Sequence, residues 1–452
     1  MPSFVLCMAS LRDRVRAVVT RAFSWAWRLA VFALPWQTRW FQEGPQIAGY
    51  PWEEGRISIY ASQLLMLVVV AAHEFLRSTE KRTMPVEKKQ RHAPFLLIAT
   101  FFLVSVFTTA SLRATVEWWI EVSILMLFVR ALIQRVAWQE LSFWFVLSLL
   151  PQALLGIIQT FTQRVFGTSL LGMASQDPAI RGVAVIESNG IRWLRSYGGF
   201  PHPNIFGGWL VMGIICSFVA LKERLSLKKE KIIYYTSLVL FSIALALTYS
   251  RSAWLAFGMF VGLACLSLLF STRDTQKRFS MVLLMISLVS CALPLFLRPQ
   301  LFFARGQTGA RLEQKSLSER AQGIQNGWRI LRAHPLTGSG LGANALVIAQ
   351  LDEKEGRSPS IPVSPHVVPL LGLSEMGVIG LLFFVGLVIL SFRVKGVALL
   401  SSKRRLLTQA VLFLAVFFPI LVLDHYLWSY WSGKVLVMIG TIFLLKEKQN
   451  SL

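Results

Sequence analysis

Four short stretches of the sequence combine residue types that bind anions and move protons. The first is 195–204, RSYGGFPHPN. A guanidinium presents five fixed N–H donors and no acceptor, so Arg195 suits an oxyanion, and Arg192 is one helical turn away or less. Gly198 and Gly199 allow the backbone to come close to a ligand, and Pro203 fits the first turn of a helix. A plain arginine cap on a helix end fits the same spacing. The second stretch is 248–254, TYSRSAW, centred on Arg251. A charge at a membrane boundary lines a pathway, pairs with an anion or snorkels to the interface. The third is Ser364-Pro365-His366, ahead of an apolar run. The positive end of a helix dipole favours the neutral imidazole, which accepts a proton at physiological pH. A histidine bonded to a neighbouring carbonyl is the simpler alternative. The fourth stretch contains Ser318, Glu319 and Arg320, then Trp328, then 334–342, HPLTGSGLG. Its three glycines in five residues, Gly340 in the middle, permit a sharp turn or close approach to a ligand.

Other polar residues read as structural. Glu375 suggests a hydrogen bond inside a helical bundle, and Gly377 and Gly380 suggest close helix contact. Asp424 and His425 form a minor acid/base candidate. Glu117 and Glu121 face an interface or a cavity, while His73 and His92 lie toward the other side of the membrane. The four cysteines form no CxxC and no Cys/His cluster, so neither a zinc site nor a disulfide framework is indicated. There is no phosphate-binding GxxxxGK[ST] loop, no GxSxG elbow and no HExxH. Only five aspartates occur, none in a DxD pair, and no carboxylate cluster suits a divalent metal. Chemistry without metal or cofactor is left to arginine, histidine and helix ends, which suit anionic substrates.

These stretches must be positioned by membrane helices. Of 452 residues, 54% are hydrophobic and 15% charged, with mean hydropathy +0.56. A soluble domain carries about 25% charged residues, so the apolar surplus points to lipid. About 20 apolar residues span a bilayer as a helix. Twelve runs qualify, near 20–36, 57–76, 94–111, 115–133, 141–162, 203–221, 232–249, 252–271, 279–297, 366–392, 406–425 and 429–445. The first is interrupted by Arg28 and reads as an uncleaved span. Residues 232–271 as one helix would be about 60 Å long, twice the hydrocarbon thickness, so a break is predicted at Arg251.

The net charge of +23 would suggest nucleic acid on a soluble protein. Here the lysines and arginines of 77–92, 222–231, 273–278 and 393–405 mark cytoplasmic loops instead. With twelve spans all four fall on one side, and both termini are cytoplasmic. Two long loops, 163–202 and 298–365, then lie outside. Loops of this length are usually functional, and the helical spacing within 318–347 predicts short helices on the membrane surface. The expectation is an all-α polytopic protein, a single membrane domain over 1–452, with all four stretches on the extracytoplasmic side. No ATP is available there, so a reaction needs a pre-activated donor. A lipid-linked diphosphate fits: arginines stabilise the leaving group, and histidine takes a proton from an attacking hydroxyl.

Taken in order, the four stretches resemble the O-antigen ligase family, which includes O-antigen polymerases. The resemblance rests on GxFxHPN at 198–204, SR[GS]AWL at 250–255, the R…W…HPLxGxGLG loop at 320–342, and a histidine leading into ExGxxG at 366–380. It covers roughly 195–390. It implies a GT-C-like membrane fold and metal-independent transfer from an undecaprenyl-diphosphate-linked glycan, at the outer face of the cytoplasmic membrane. The acceptor is lipid A core in ligases, another lipid-linked repeat unit in polymerases, and protein in some relatives. By the motif, Arg195 and Arg251 bind the diphosphate and His366 is catalytic. Arg320, His202, Asn204 and Gly340 are further substrate-binding candidates. The family often has Asn after the histidine; Val367 stands there instead, and His202 is a candidate substitute. A transporter or flippase of an anionic lipid-linked glycan is the alternative from another class. It would need polar residues through the full membrane depth, whereas here they gather at one face.

Overall fold

The computed structural model describes residues 2–80, 92–222, 228–270, 272–306, 311–357, 361–393, 413–414 and 416–445. The chain opens with α1 (Pro2–Ala33), the strands β1 (Arg39–Gln42), β2 (Gln46–Ile47), β3 (Tyr50–Pro51) and β4 (Ile57–Tyr60), and α2 (Ala61–Thr79). Next come α3 (His92–Thr108), α4 (Leu112–Arg135), α5 (Trp138–Thr162), the hairpin β5 (Val185–Ser188) and β6 (Ile191–Leu194), and α6 (Pro203–Lys222). Then follow α7 (Lys228–Leu247), α8 (Arg251–Leu269), α9 (Asp274–Leu297), α10 (Pro299–Gly306), α11 (Arg311–Ala333), α12 (Asn344–Lys354) and α13 (Val368–Arg393). The chain closes with α14 (416–423), α15 (Tyr426–Ser429) and α16 (Trp431–Leu445).

Among the described residues, seven helices are long and apolar enough to cross a membrane: α2, α5, α6, α7, α8, α9 and the Val368–Leu387 part of α13. The remaining expected spans α1, α3, α4 and α16 are helical but shorter in apolar length or more charged. The eleventh, 406–425, lies largely outside the described residues, as do most of the basic stretches 77–92 and 393–405. The second span begins at Ala61 rather than at 57, because Ile57–Tyr60 pairs antiparallel with Arg39–Gln42 instead of joining the helix.

Helix α6 is the axis of the bundle, with 83% of its apolar window buried inside the protein. The main core packs around it from α1, α2, α4, α5, α7, α8, α9, α14 and α16. Gly207 lets α8 come close, since a Cβ there would press on Ala253 and Ser250. A smaller core joins α3, α4 and α13. Burying about 25 cal/mol per Å² of apolar surface explains the packing inside the protein, while the exposed apolar residues of α2, α3 and α9 suit lipid.

Two breaks interrupt long apolar runs, and both serve the site end of the bundle. The first separates α7 from α8 at 248–250, as predicted, with Tyr249 at φ 50°. The second is inside α13, where Gly377 has φ 61° and ψ −164°. A Cβ at Gly377 would strike the Leu336 carbonyl. The expected role of Gly377 in plain helix contact is therefore corrected: it is a left-handed break that only glycine enters freely. The 334–342 loop fills the gap. Val378 and Ile379 N–H donate to the Pro335 and Leu336 carbonyls at 3.0 and 3.1 Å, and Ser339 and Gly340 N–H donate to the Ser374 and Glu375 carbonyls at 2.9 Å each. Irregular backbone inside an apolar bundle is tolerated where protein satisfies it in this way.

Candidate active site

At one end of the bundle, loops and helix ends converge on Asp424, which follows α14. Asn204, in the first turn of α6, donates its Nδ2 to Asp424 Oδ1 at 2.8 Å. Ser252 of α8 donates to Asp424 Oδ2 through a very short bond. Arg195 Nη2 donates to Asn204 Oδ1 at 2.5 Å, and Arg195 Nε donates to the Thr248 carbonyl at 2.7 Å. The adjacent Tyr249 carbonyl accepts from Arg305 Nε at 3.1 Å. The break after α7 thus places two orphan carbonyls against two cations, a favourable pairing for a helix C-terminus.

Helix α11 supplies the opposite wall. Its Glu313 pairs with Arg305 and, at 3.0 Å, with Arg251 Nη1. Arg320 lies two turns further along the same helix, within electrostatic reach of Asp424, Arg251 and Glu313. Four guanidiniums, of Arg195, Arg251, Arg305 and Arg320, therefore face two carboxylates, of Glu313 and Asp424, which leaves two positive charges in excess. Arg251 Nη2 is buried without a hydrogen-bond partner. An unpaired buried donor is costly, and an arriving anion would relieve that cost. Burial pushes Arg195 down to about 9, helped by neighbouring Arg305, so it remains cationic at neutral pH.

His366 is held by α11. Asn326 Nδ2 donates to the Val363 carbonyl at 3.0 Å, and Gly323 and Gly327 leave room for Ser364 and Pro365. His366 sits two residues ahead of α13 with its ring edge-to-face on His425, centroids 5.0 Å apart. Its Nδ1 is buried and unpartnered. Burial lowers its pKa, and Arg320 adds to that; Asp424, Glu319 and the Ser364 carbonyl oppose the change. The net direction is down, so the imidazole is neutral at pH 7. Burial first, and His366 second, push His425 down to about 3.

The structure thus gathers Arg195, Arg251, Arg320, His202, Asn204 and His366 from the sequence reading at one end of the bundle. His202 accepts the Asn204 N–H on Nδ1 at 3.1 Å, and burial holds its pKa well below the usual histidine range. Gly340 is not in this group. Its backbone bonds to Glu375, and a Cβ there would run into Thr109, so it belongs to the seam that closes the α13 break. Arg192 also departs: on the strand β6 it is three residues from Arg195 without sharing its face, and it donates to the Ala179 and Ile180 carbonyls at 3.2 Å each. Asp424 and His425 do not act as a bonded pair. Asp424 accepts from Asn204 and Ser252, and His425 Nδ1 meets Ser429 Oγ at 2.9 Å.

The sequence reading missed Arg305, Glu313, Ser252 and two glutamines of α5. Gln152 Oε1 accepts from Gly199 N–H at 2.6 Å, Gln159 Oε1 accepts from Tyr197 N–H at 3.1 Å, and Gln159 Nε2 donates to the Gly198 carbonyl at 2.8 Å. Together they clamp the loop that carries Arg195. Two amides seven residues apart in an apolar helix were a readable signal. Arg305 carried the same signal as Arg251, a cation in a stretch expected outside. Among the described residues, no three His, Cys, Asp or Glu side chains come together as a metal site.

Residues 236–385 match the family model described as O-antigen ligase. Through this region the chain is similar to the O-antigen ligase family. The match spans Arg251, Arg305, Glu313, Arg320 and His366. Arg195, Asn204 and Asp424 fall outside it and reach the same site through the fold. A comparison with curated proteins finds no match. The match points to a membrane enzyme of the ligase or polymerase type that processes glycans.

Proposed function

We propose that this chain transfers a glycan from an undecaprenyl-diphosphate carrier to a hydroxyl acceptor, at the outer face of the cytoplasmic membrane. The observation that carries the reading is the group of four arginines with two unbalanced positive charges, set beside a neutral histidine with a free ring nitrogen. A diphosphate diester carries two negative charges and would neutralise the excess. The acceptor oxygen attacks the anomeric carbon of the donor sugar, and its proton passes to His366. The bond from that carbon to the diphosphate oxygen breaks, and the electron pair leaves with the diphosphate. Arg195 and Arg251 receive the leaving charge through charge-assisted hydrogen bonds, and Arg305 and Arg320 add field. Asn204 and Asp424 hold Arg195 and Ser252 in register. No step calls for a metal.

The test is reconstitution in vesicles with an undecaprenyl-diphosphate glycan and three acceptors: lipid A core, a second lipid-linked repeat unit and a protein. The reading expects transfer to one of them, unaffected by EDTA, with product size separating ligation from polymerisation. Absence of transfer to all three, or strong inhibition by EDTA, contradicts it.

A further inference from the structure

Glu313 is buried, and its carboxylate bridges Arg251 and Arg305 inside the cationic cluster. A site whose only task was to hold a dianion would do so more tightly without this residue. We propose that Glu313 is a counter-charge that fits the cluster to the two negative charges of the donor diphosphate and loosens the diphosphate product, which carries three. It acts through the arginines and is a positioning residue. The inference rests on the glycosyl-transfer reading for the identity of the two anions, and on the ion pairs themselves for the electrostatics.

The balance of charge carries the argument. Arg195, Arg251, Arg305 and Arg320 face Glu313 and Asp424, so the cluster has two positive charges in excess. A donor diester carries one ionised oxygen on each phosphate and uses both. When the bond from the anomeric carbon breaks, its electron pair stays on the diphosphate, which becomes a monoester with a third negative charge. The proton of the acceptor hydroxyl passes to His366, so for that moment three positive charges face three negative ones. Once the imidazolium gives the proton to water, the third charge has no cation of its own, and burying it costs hydration that nothing offsets. Without the Glu313 charge, one more guanidinium would be free to hold it, and the product would stay bound.

Three observations separate this role from plain scaffolding. Arg305 is also held elsewhere, since its Nε donates to the Tyr249 carbonyl at 3.1 Å. Arg251 meets Glu313 through Nη1 at 3.0 Å but keeps a buried Nη2 without a hydrogen-bond partner. A guanidinium held for structure alone would be satisfied within the protein, whereas this one leaves a donor open beside the carboxylate. The two carboxylates also differ. Asp424 accepts from Asn204 and Ser252, both uncharged, and reaches Arg195 only through Asn204. Glu313 touches the guanidiniums directly, so its charge sets what they can still bind. It lies in the first turn of α11, where the helix dipole favours the ionised carboxylate. The same helix carries Arg320 and, through Asn326, braces the segment of His366, which fixes the carboxylate on a rigid element of the site.

The experiment is calorimetric titration of the full chain in lipid nanodiscs, with empty nanodiscs as the blank. The ligands are farnesyl diphosphate, a monoester, and its glucosyl diester, at about pH 8, above the second ionisation of a phosphate. The wild type should bind the two with affinities within about threefold, although the monoester carries the larger charge, because about one charge is left unpaired. Glu313→Gln keeps an acceptor for the arginines and should tighten the monoester by about tenfold, the factor given by about 1.4 kcal/mol, and the diester by less. In the transfer assay this variant should keep its first-turnover rate and lose kcat, with added undecaprenyl diphosphate as a stronger inhibitor. A scaffolding role would instead weaken both ligands and slow the first turnover. Weakening of both ligands by Glu313→Gln, or an unchanged ratio between them, overturns the proposal. So does a wild type that prefers the monoester by about tenfold or more, a result that needs no variant to fold. The two readings fail separately. Tightening of the monoester in Glu313→Gln, without transfer in the wild type, removes the transferase and leaves the counter-charge. Transfer with an unchanged ratio removes the counter-charge and leaves the transferase.

Discussion

Two neighbouring regions at one end of the bundle differ in how their charges are balanced. One gathers Arg195, Arg251, Arg305 and Arg320 around Asp424 and Glu313. The other lines its walls with Glu54, Glu117 and Glu375 between indole rings. A single segment, 424–434, serves both: Asp424 anchors the cationic side, His425 and Ser429 lie on the border, and Trp428 and Lys434 face the acidic side. On the first side the guanidiniums outnumber the carboxylates and Arg251 Nη2 is left without a partner, whereas on the second Lys434 pairs with Glu121, and Arg39 and Arg56 with Glu53. Only an excess of one sign favours a ligand of the other, so the first side is the one suited to an anion.

The sharpest break of this division is at the border. His366→Ala should abolish transfer, a loss of about 10²–10⁴-fold for a general base, while expression and insertion persist; transfer assays check it. Normal transfer would remove the base assignment. Next come the cations. Arg251→Ala and Arg195→Ala should each weaken donor binding by about ten- to a hundredfold, corresponding to about 1.5–3 kcal/mol for a charged hydrogen bond. Equilibrium binding of the lipid diphosphate measures this. Unchanged donor affinity in both variants would remove the diphosphate assignment.

Gly377→Ala tests the other side. The left-handed φ and the Leu336 carbonyl oppose a Cβ, at a cost of about 1–3 kcal/mol. The expected readout is a lower Tm, with donor affinity less affected because Gly377 lies in the seam with the 334–342 loop and not among the arginines.

The smallest expected effects are shifts in pH dependence. His366 has a lowered pKa, so the neutral base persists below the usual histidine range, and the acid limb of kcat/KM should fall below about pH 6.5. Arg320 disfavours the imidazolium, so Arg320→Gln should raise the pKa and move the acid limb up. Asp424 favours the imidazolium, so Asp424→Asn should move it down, with reduced transfer from the loosened Asn204 and Ser252 bonds. Shifts in the same direction for both would contradict the geometry around His366.

Much of this site was legible before the fold. A cation in an apolar sequence is expensive, so Arg251 announced itself, and the length of 232–271 required the break that now positions it. Arg195, His202 and Asn204 stood in one short motif. Glu313 and Arg305 were harder to read, since a loop of mixed charge has no period to mark which residues turn inward. Asp424 was visible only as a neighbour of His425, because the sequence cannot show that its acceptors face Asn204 and Ser252, which are 220 and 172 residues away. The second region was least legible: Glu54, Glu117 and Glu375 come from three distant segments, and each alone looks like a helix-end or bundle carboxylate.

By itself, the sequence determined that the chain lives in a membrane, where its long helices break, and which short motifs hold cations and histidine. Composition and periodicity control these properties locally, through the transfer of side chains and backbone out of water. Only the tertiary structure decided which cations share an anion and which carboxylates share a cavity. It also decided that the glycine-rich loop closes a broken helix. Those outcomes depend on contacts between residues far apart in the chain, and on burial, which sets the strength of every charge in the site.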